Sequence, residues 1–179
     1  MGDRVYEEIP PEPRPKPLIH LRQISVCMFL QPEENISAVD KHDAELFRSL
    51  SQFMWVQGEP VLLIYEVGNG VYASQGVDLP ALNRLETAGL LCVDPVGYVK
   101  KWFGKHTRLF YCGKPTKIQF PQDANNRLDL GHVILTEKGK TLAGVSSPTR
   151  NQKFYEYTIE TWFRQGLVAS SILAPGRSI

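Results

Sequence analysis

The chain predicts an α+β fold, and three observations carry that expectation. Two stretches, 37–57 and 152–167, repeat apolar residues at helical spacing. Between them Asp78–Leu91 reads as a short helix stopped by a glycine and running straight into a strand. From Leu90 to Leu135 the pattern changes to short alternating runs separated by turn residues. One domain over 18–167 is expected, with a disordered proline-rich tail over 1–17 and a flexible tail over 168–179. A hydrophobic content of 42% is enough for a sizeable core.

Pro10, Pro11, Pro13, Pro15 and Pro17 lack the N–H that a ladder or helix interior needs, so the start should be extended and polyproline-like. It fits a solvated linker, or a ligand for a proline-recognising groove. Leu18–Leu30 is apolar without a clean period, and both strand and helix stay open there. Pro32 marks a loop over Gln31–Asn35. Ser37 or Asp40 can cap the next helix, with Asp43 and Glu45 at the positive end of its dipole. Leu46, Phe47, Leu50, Phe53 and Met54 form its core-facing stripe, and it should end near Trp55–Gln57, before Gly58 and Pro60. Pro60–Val67 is a short apolar run, followed by a tight turn at Gly68-Asn69-Gly70.

In the central helix Asp78 can cap, and Pro80 sits in the first turn, where a missing N–H costs little. Leu79, Leu82, Leu85 and Ala88 make its stripe, and Gly89 can take the left-handed closing conformation. Strands are expected at Leu90–Val93, Tyr98–Phe103, Arg108–Tyr111, Thr116–Phe120 and His132–Leu135. Asp94-Pro95, Gly104, Cys112–Pro115 and Pro121–Arg127 are the breaks between them. Thr136 should cap a helix to about Val145 with Leu142 and Val145 inward. A last helix over Gln152–Leu167 should bury Tyr155, Ile159, Trp162 and Phe163, with Gly166 as its stop.

Several functions find no support in these residues. No apolar run reaches the ~18–20 residues that span a bilayer. The first ten residues carry acids and a proline where a signal peptide needs an apolar core, so a soluble cytoplasmic protein with no membrane partner is expected. Cys27, Cys92 and Cys112 form no CxxC pair; reduced thiols are expected, and no zinc knuckle. Gly68 and Gly70 lack both the GxGxxG spacing and a GK[ST] end, so a nucleotide cradle is not expected. His20, His42, His106 and His132 are scattered, and adjacent His42 and Asp43 do not face each other on a helix. Ser146-Ser147 has no elbow around it, and Asp123 and Asp129 read as turn formers. No catalytic residue, no metal ligand set and no cofactor is expected; the chain does not read as an enzyme.

One window stands out. Pro95–Gln122 contains no Asp or Glu, yet holds Lys100, Lys101, Lys105, Arg108, Lys114 and Lys117, in a chain of net charge +1. Tyr98, Trp102, Phe103, Phe110 and Tyr111 are interleaved with these cations. Cations on a β hairpin can meet phosphates with release of counterions, and aromatic rings among them can stack on bases. Asn83 and Arg84, away from the leucine stripe of the central helix, can reach a groove. DNA or RNA is therefore the expected partner, with Lys100, Lys101, Trp102, Lys105, Arg108, Lys114, Lys117, Asn83 and Arg84 as candidate contacts. The same cations also fit an ordinary solvated face. A protein-interaction or assembly module, with a protein partner or a second copy, is the alternative, since the proline tail and the aromatic last helix offer partner surfaces.

Two resemblances bear on the layout. Leu82–Leu91 (LNRLETAGLL), a β-rich stretch and then His132–Val145 (HVILTEKGKTLAGV) resemble the end of a winged-helix domain: helix, glycine-leucine turn, wing, then a strand into an "LT-x-x-G-x-x-L" helix, here Leu135, Thr136, Gly139 and Leu142. The resemblance implies a winged-helix-like centre with an enlarged β wing and flanking helices, because about 40 residues separate Leu91 from His132. In addition Glu45–Trp55, VLLIYEV, LNRLETAGLL, Tyr111–Pro115, LTEKGKTLA and Phe154–Trp162 look, in this order, like the C-terminal part of a family of uncharacterised bacterial proteins known only as a domain of unknown function. That resemblance spans roughly residues 40–167 and implies a layout without bringing any catalytic residue.

Overall fold

A computed structural model describes residues 39–171. The proline-rich start, the 18–30 segment, the Pro32 loop, the Ser37 capping position and residues 172–179 lie outside the described residues. In chain order the elements are α1 (Lys41–Leu50), a 3-10 turn (Ser51–Phe53), β1 (Met54–Gln57), β2 (Glu59–Leu62), α2 (Gly70–Ala73) and α3 (Leu79–Thr87). Then come β3 (Leu91–Val93), β4 (Val99–Phe103), β5 (His106–Tyr111), β6 (Lys114–Gln119), β7 (Asn126–Asp129), β8 (Val133–Leu135), α4 (Glu137–Val145), α5 (Gln152–Arg164) and β9 (Val168–Ser171). The fold is mixed α+β, and every pairing between named strands is antiparallel.

The stretch from α3 to α4 is one long hairpin built of pairs nested inside one another. Leu91 pairs with Leu135 and Val93 with Val133 at its open end. Val99 pairs with Asp129, and Lys101 with Arg127, in its middle. His106 pairs with Gln119, and Tyr111 with Lys114, next to its tip. Cys112 and Gly113 close the tip with φ of 47° and 75°, as a two-residue type I′ turn requires. The ladder breaks between the middle and tip pairs, and buried Asn126 fills the break. Its amide Nδ2 donates to the carbonyls of Gln122 at 2.8 Å and Gly104 at 3.1 Å.

Both ends of this hairpin are tied to helices. Asp78 caps α3, its carboxylate accepting from the Ala81 N–H at 2.9 Å. At the other end of α3 the carbonyls are left without helical partners. The Thr136 hydroxyl donates to the Gly89 carbonyl at 2.7 Å, and the same oxygen caps α4 by accepting from the Gly139 N–H at 3.1 Å. Gly139 is required by this closure, because a Cβ there would lie 1.9 Å from the Leu90 carbonyl oxygen.

The tip strands continue into a five-stranded sheet of order β2-β1-β5-β6-β9. Helix α5 covers one face of it. Trp55 stacks on Tyr111 with ring centroids 4.9 Å apart and meets Trp162 edge-on at 5.0 Å. Phe53 and Tyr111 both meet Phe154 edge-on. The Trp162 indole donates to the Tyr65 hydroxyl at 2.9 Å, and that hydroxyl donates to the Asp129 carbonyl at 3.3 Å, tying α5 to β7.

Five expectations are corrected. Helix α1 stops at Leu50, and Met54–Gln57 is strand β1. The apolar stripe misled because Phe53 and Met54 enter the same core through a 3-10 turn and a strand. Leu79 and Val145, expected inside, are 51% and 79% exposed. In α5 the sheet meets Phe154, Thr158 and Trp162, four residues apart, which leaves Phe163 74% exposed. Val168–Ser171, expected as tail, is an edge strand on β6; Gly166, at φ 79°, turns the chain back, and buried Leu167 anchors it through its N–H on the Trp162 carbonyl. Cys92, expected as a thiol, is disulfide-bonded, while Cys112 is a free cysteine.

Candidate nucleic-acid interface

Paired residues of an antiparallel ladder point to the same side of the sheet. Leu109, Tyr111, Thr116 and Ile118 are buried towards α5, so Arg108, Phe110 and Lys117 point the opposite way. On that outward face, Val56 pairs with both Pro60 and Phe110, and Phe110 with Pro115. The next row is Arg108, Lys117 and Ser170; the row beyond it is His106, Gln119 and Val168. None of these positions is an Asp or Glu. Arg108 and Lys117 stand directly across from each other, an arrangement of like charges that costs stability when nothing neutralises it. Neither makes an ion pair among the described residues. Lys114 is exposed beside the tip turn.

A second cationic pair lies on the middle of the hairpin. Lys101 and Arg127 are cross-strand partners, and both are exposed. Trp102 projects beside them, 81% exposed, at a register shift in β4 and with φ of 70°. A non-glycine residue held at such an angle is uncommon. Arg127 was not a candidate from sequence, because it closes a stretch that reads as loop. The nested register alone brings it opposite Lys101.

Lys100, Lys105 and Arg84 are engaged with acids. Lys100 reaches Glu59 at 3.6 Å and the Gln57 carbonyl at 3.5 Å. Glu59 also holds Lys140 at 2.7 Å, and Lys140 bonds Glu137 at 2.9 Å. The hydrogen bond from Lys140 holds the Glu59 carboxyl below its ordinary range against the opposing effect of partial burial, with Lys100 assisting. Lys105 pairs with Asp123 at 3.1 Å and donates to the Pro121 carbonyl at 3.1 Å. Arg84 binds Asp40 at 3.1 Å and also Asp43, joining α3 to α1. Asn83 is exposed on α3, which packs on α1 and on β3 at the open end of the hairpin. The structure thus places Asn83 and Arg84 on elements at one end of the hairpin and Arg108, Lys114 and Lys117 next to its tip. Lys101, Trp102 and Arg127 lie between them.

The strongly perturbed groups belong to the core. Burial raises Tyr65 and Tyr72 well above the ordinary phenol range. It pushes Tyr111 up to about 12, against a lowering by the Asn151 N–H, which the phenol oxygen accepts at 2.8 Å. The Tyr111 hydroxyl in turn donates to the Gln52 carbonyl at 2.9 Å. Among the described residues, no group of three or more His, Cys, Asp or Glu is arranged to hold a metal ion. No helix among them is long and apolar enough to cross a membrane. What the outward face offers chemically is uncompensated positive charge beside an exposed aromatic ring. Comparison of the chain with family models, with curated proteins and with solved structures returns no match.

Proposed function

We propose that the chain is a non-catalytic nucleic-acid-binding module of winged-helix-like plan, in which the nested hairpin is an enlarged wing. The plan is supported by the order of helix, glycine stop, strand, hairpin, strand and capped helix from Asp78 to Val145. The resemblance to a bacterial family of unknown function belongs to this reading and concerns layout alone, as does a cytoplasmic setting. The observation that carries the function is the Arg108–Lys117 pair. Two cations face each other across a ladder, without an acid on their face, and an anion spanning them relieves the repulsion. Lys101 and Arg127 add a second cross-strand pair of cations along the hairpin, on a side that Asp129 shares.

The test is oligonucleotide binding across a salt series. The wild-type chain should bind, with affinity falling steeply as salt rises. The variant Arg108→Glu/Lys117→Glu/Arg127→Glu should lose binding, and neutral Gln substitutions at these positions should reduce the slope of log affinity against log salt by about 2–3, close to one per lost phosphate contact. A slope unchanged by the Gln substitutions, or no binding to any DNA or RNA, refutes the reading.

A second reading, an assembly module, is favoured by a different observation. Ile159, Phe163 and Ala169 line an open, largely apolar groove of about 400 Å³ between α5 and β9. On that reading light scattering shows an oligomer that survives the triple Glu change and dissociates with Phe163→Arg.

A further inference from the structure

The outward sheet face does more than collect cations, and its shape distinguishes between classes of nucleic acid. We propose that it binds single-stranded nucleic acid, with a base stacked on Phe110 and the adjoining phosphates held by Arg108 and Lys117. The inference rests on the nucleic-acid reading above and names its substrate class.

Three observations carry it. First, Phe110 is 40% exposed and takes part in none of the ring–ring contacts among the described residues, which occupy Trp55, Tyr111, Phe154 and their neighbours on the opposite side. Its ladder neighbours Val56 and Pro115 are compact and uncharged, so a flat ring has room to lie across the row. Second, Arg108 is two residues from Phe110 on the same strand and the same face, with Lys117 beside it. That step is about 7 Å along a strand, within the reach of a long cationic side chain to the phosphate of a base stacked on Phe110. Third, the cations sit in the interior of a five-stranded sheet, flanked by β1 on one side and β9 on the other. A major groove admits a helix or a two-stranded ribbon, and a broad sheet face does not enter it. The helix that follows the winged-helix plan, α3, has its arginine held by Asp40 and Asp43. Splayed bases, in contrast, lie naturally on an open sheet with an exposed ring.

The deciding experiment is fluorescence anisotropy with the full chain at low salt, using a labelled mixed-sequence single strand and the duplex formed from it. The single strand should bind at least about tenfold tighter. Phe110→Ala should weaken single-strand binding by roughly 5- to 150-fold, the range of one lost base stack, with the salt slope unchanged. Phe110→Trp should restore it, and circular dichroism should show all variants folded. A duplex bound as tightly as the single strand, or a Phe110→Ala variant that binds the single strand as the wild type does, overturns the inference. If Arg108→Glu/Lys117→Glu still abolishes binding in that case, the broader nucleic-acid reading stands. No binding of either probe refutes both.

Discussion

Cys112 sits at a left-handed backbone angle, φ 47°, in the first central position of the tip turn. A side chain with a Cβ is strained there by about 1–2 kcal/mol relative to glycine, and asparagine tolerates the region better. Its thiol makes a long contact, 3.8 Å, to the Pro148 carbonyl and also interacts with the Tyr111 side chain. Cys112→Asn, which makes the favoured Asn-Gly pair, should therefore raise unfolding free energy by about 0.5–1 kcal/mol in urea titrations. A lower midpoint would show that the thiol contact outweighs the turn strain. The turn itself was legible from Cys112-Gly113-Lys114-Pro115, since glycine beside a strand end marks a reversal. The roles of Lys100, Lys105 and Arg84 were not. Their acidic partners Glu59, Asp123, Asp40 and Asp43 are distant in sequence or beyond the acid-free window, and composition carries no information about which charges meet.

Helix α3 shows how an element can carry a residue of the right type for the wrong reason. Arg84 joins α3 to α1 through two carboxylates, and its side chain remains 46% exposed. Exposed pairs of this kind contribute little, so Arg84→Gln should cost about 0.5–1 kcal/mol in thermal or urea unfolding. It should leave oligonucleotide affinity within twofold of wild type. A tenfold loss of affinity with unchanged stability would return Arg84 to the interface. Elements with punctuation were readable: Asp78 and Gly89 bound α3, Thr136 begins α4, and Gly166 follows α5. Elements defined by a partner were less so. The stripes of α1 and α5 named buried residues while misplacing a boundary or a face, because a core accepts apolar side chains from helix, turn and strand alike. Strand β9 exists because β6 has an edge to offer it.

Across the whole molecule, a few phenols are packed in or against a core made mostly of hydrocarbon side chains. Tyr65, Tyr72 and Tyr111 are each held neutral by burial, with their ionisation pushed upwards. A folded-state value above the unfolded one means stability that is complete below the unfolded value and disappears as pH rises through the folded one. For Tyr111 that window runs from the ordinary 10 to about 12. The tyrosine contribution to unfolding free energy should thus be flat on the acid side of pH 10 and fall steadily above it. Phenolate absorbance for the buried set should appear together with loss of ellipticity. Ionisation of all tyrosines near pH 10 in a still-folded chain would contradict the burial described. At this scale the mixed α+β composition and the run of strands were legible, whereas the pairing register was not. Alternation shows which face a residue prefers and leaves its partner strand unnamed, which is why Arg127 was missed opposite Lys101.

The nested hairpin also has a kinetic meaning. Joining Leu91 to Leu135 directly would close a loop of more than forty residues at full entropic cost. With the tip formed first, each later pair closes only the short interval left by the one inside it. The chain can assemble this region as a zipper running outward from Cys112 and Gly113. The contacts most distant in sequence then form last, when little freedom is left to lose, and a region with widely separated partners folds with the economy of a local one.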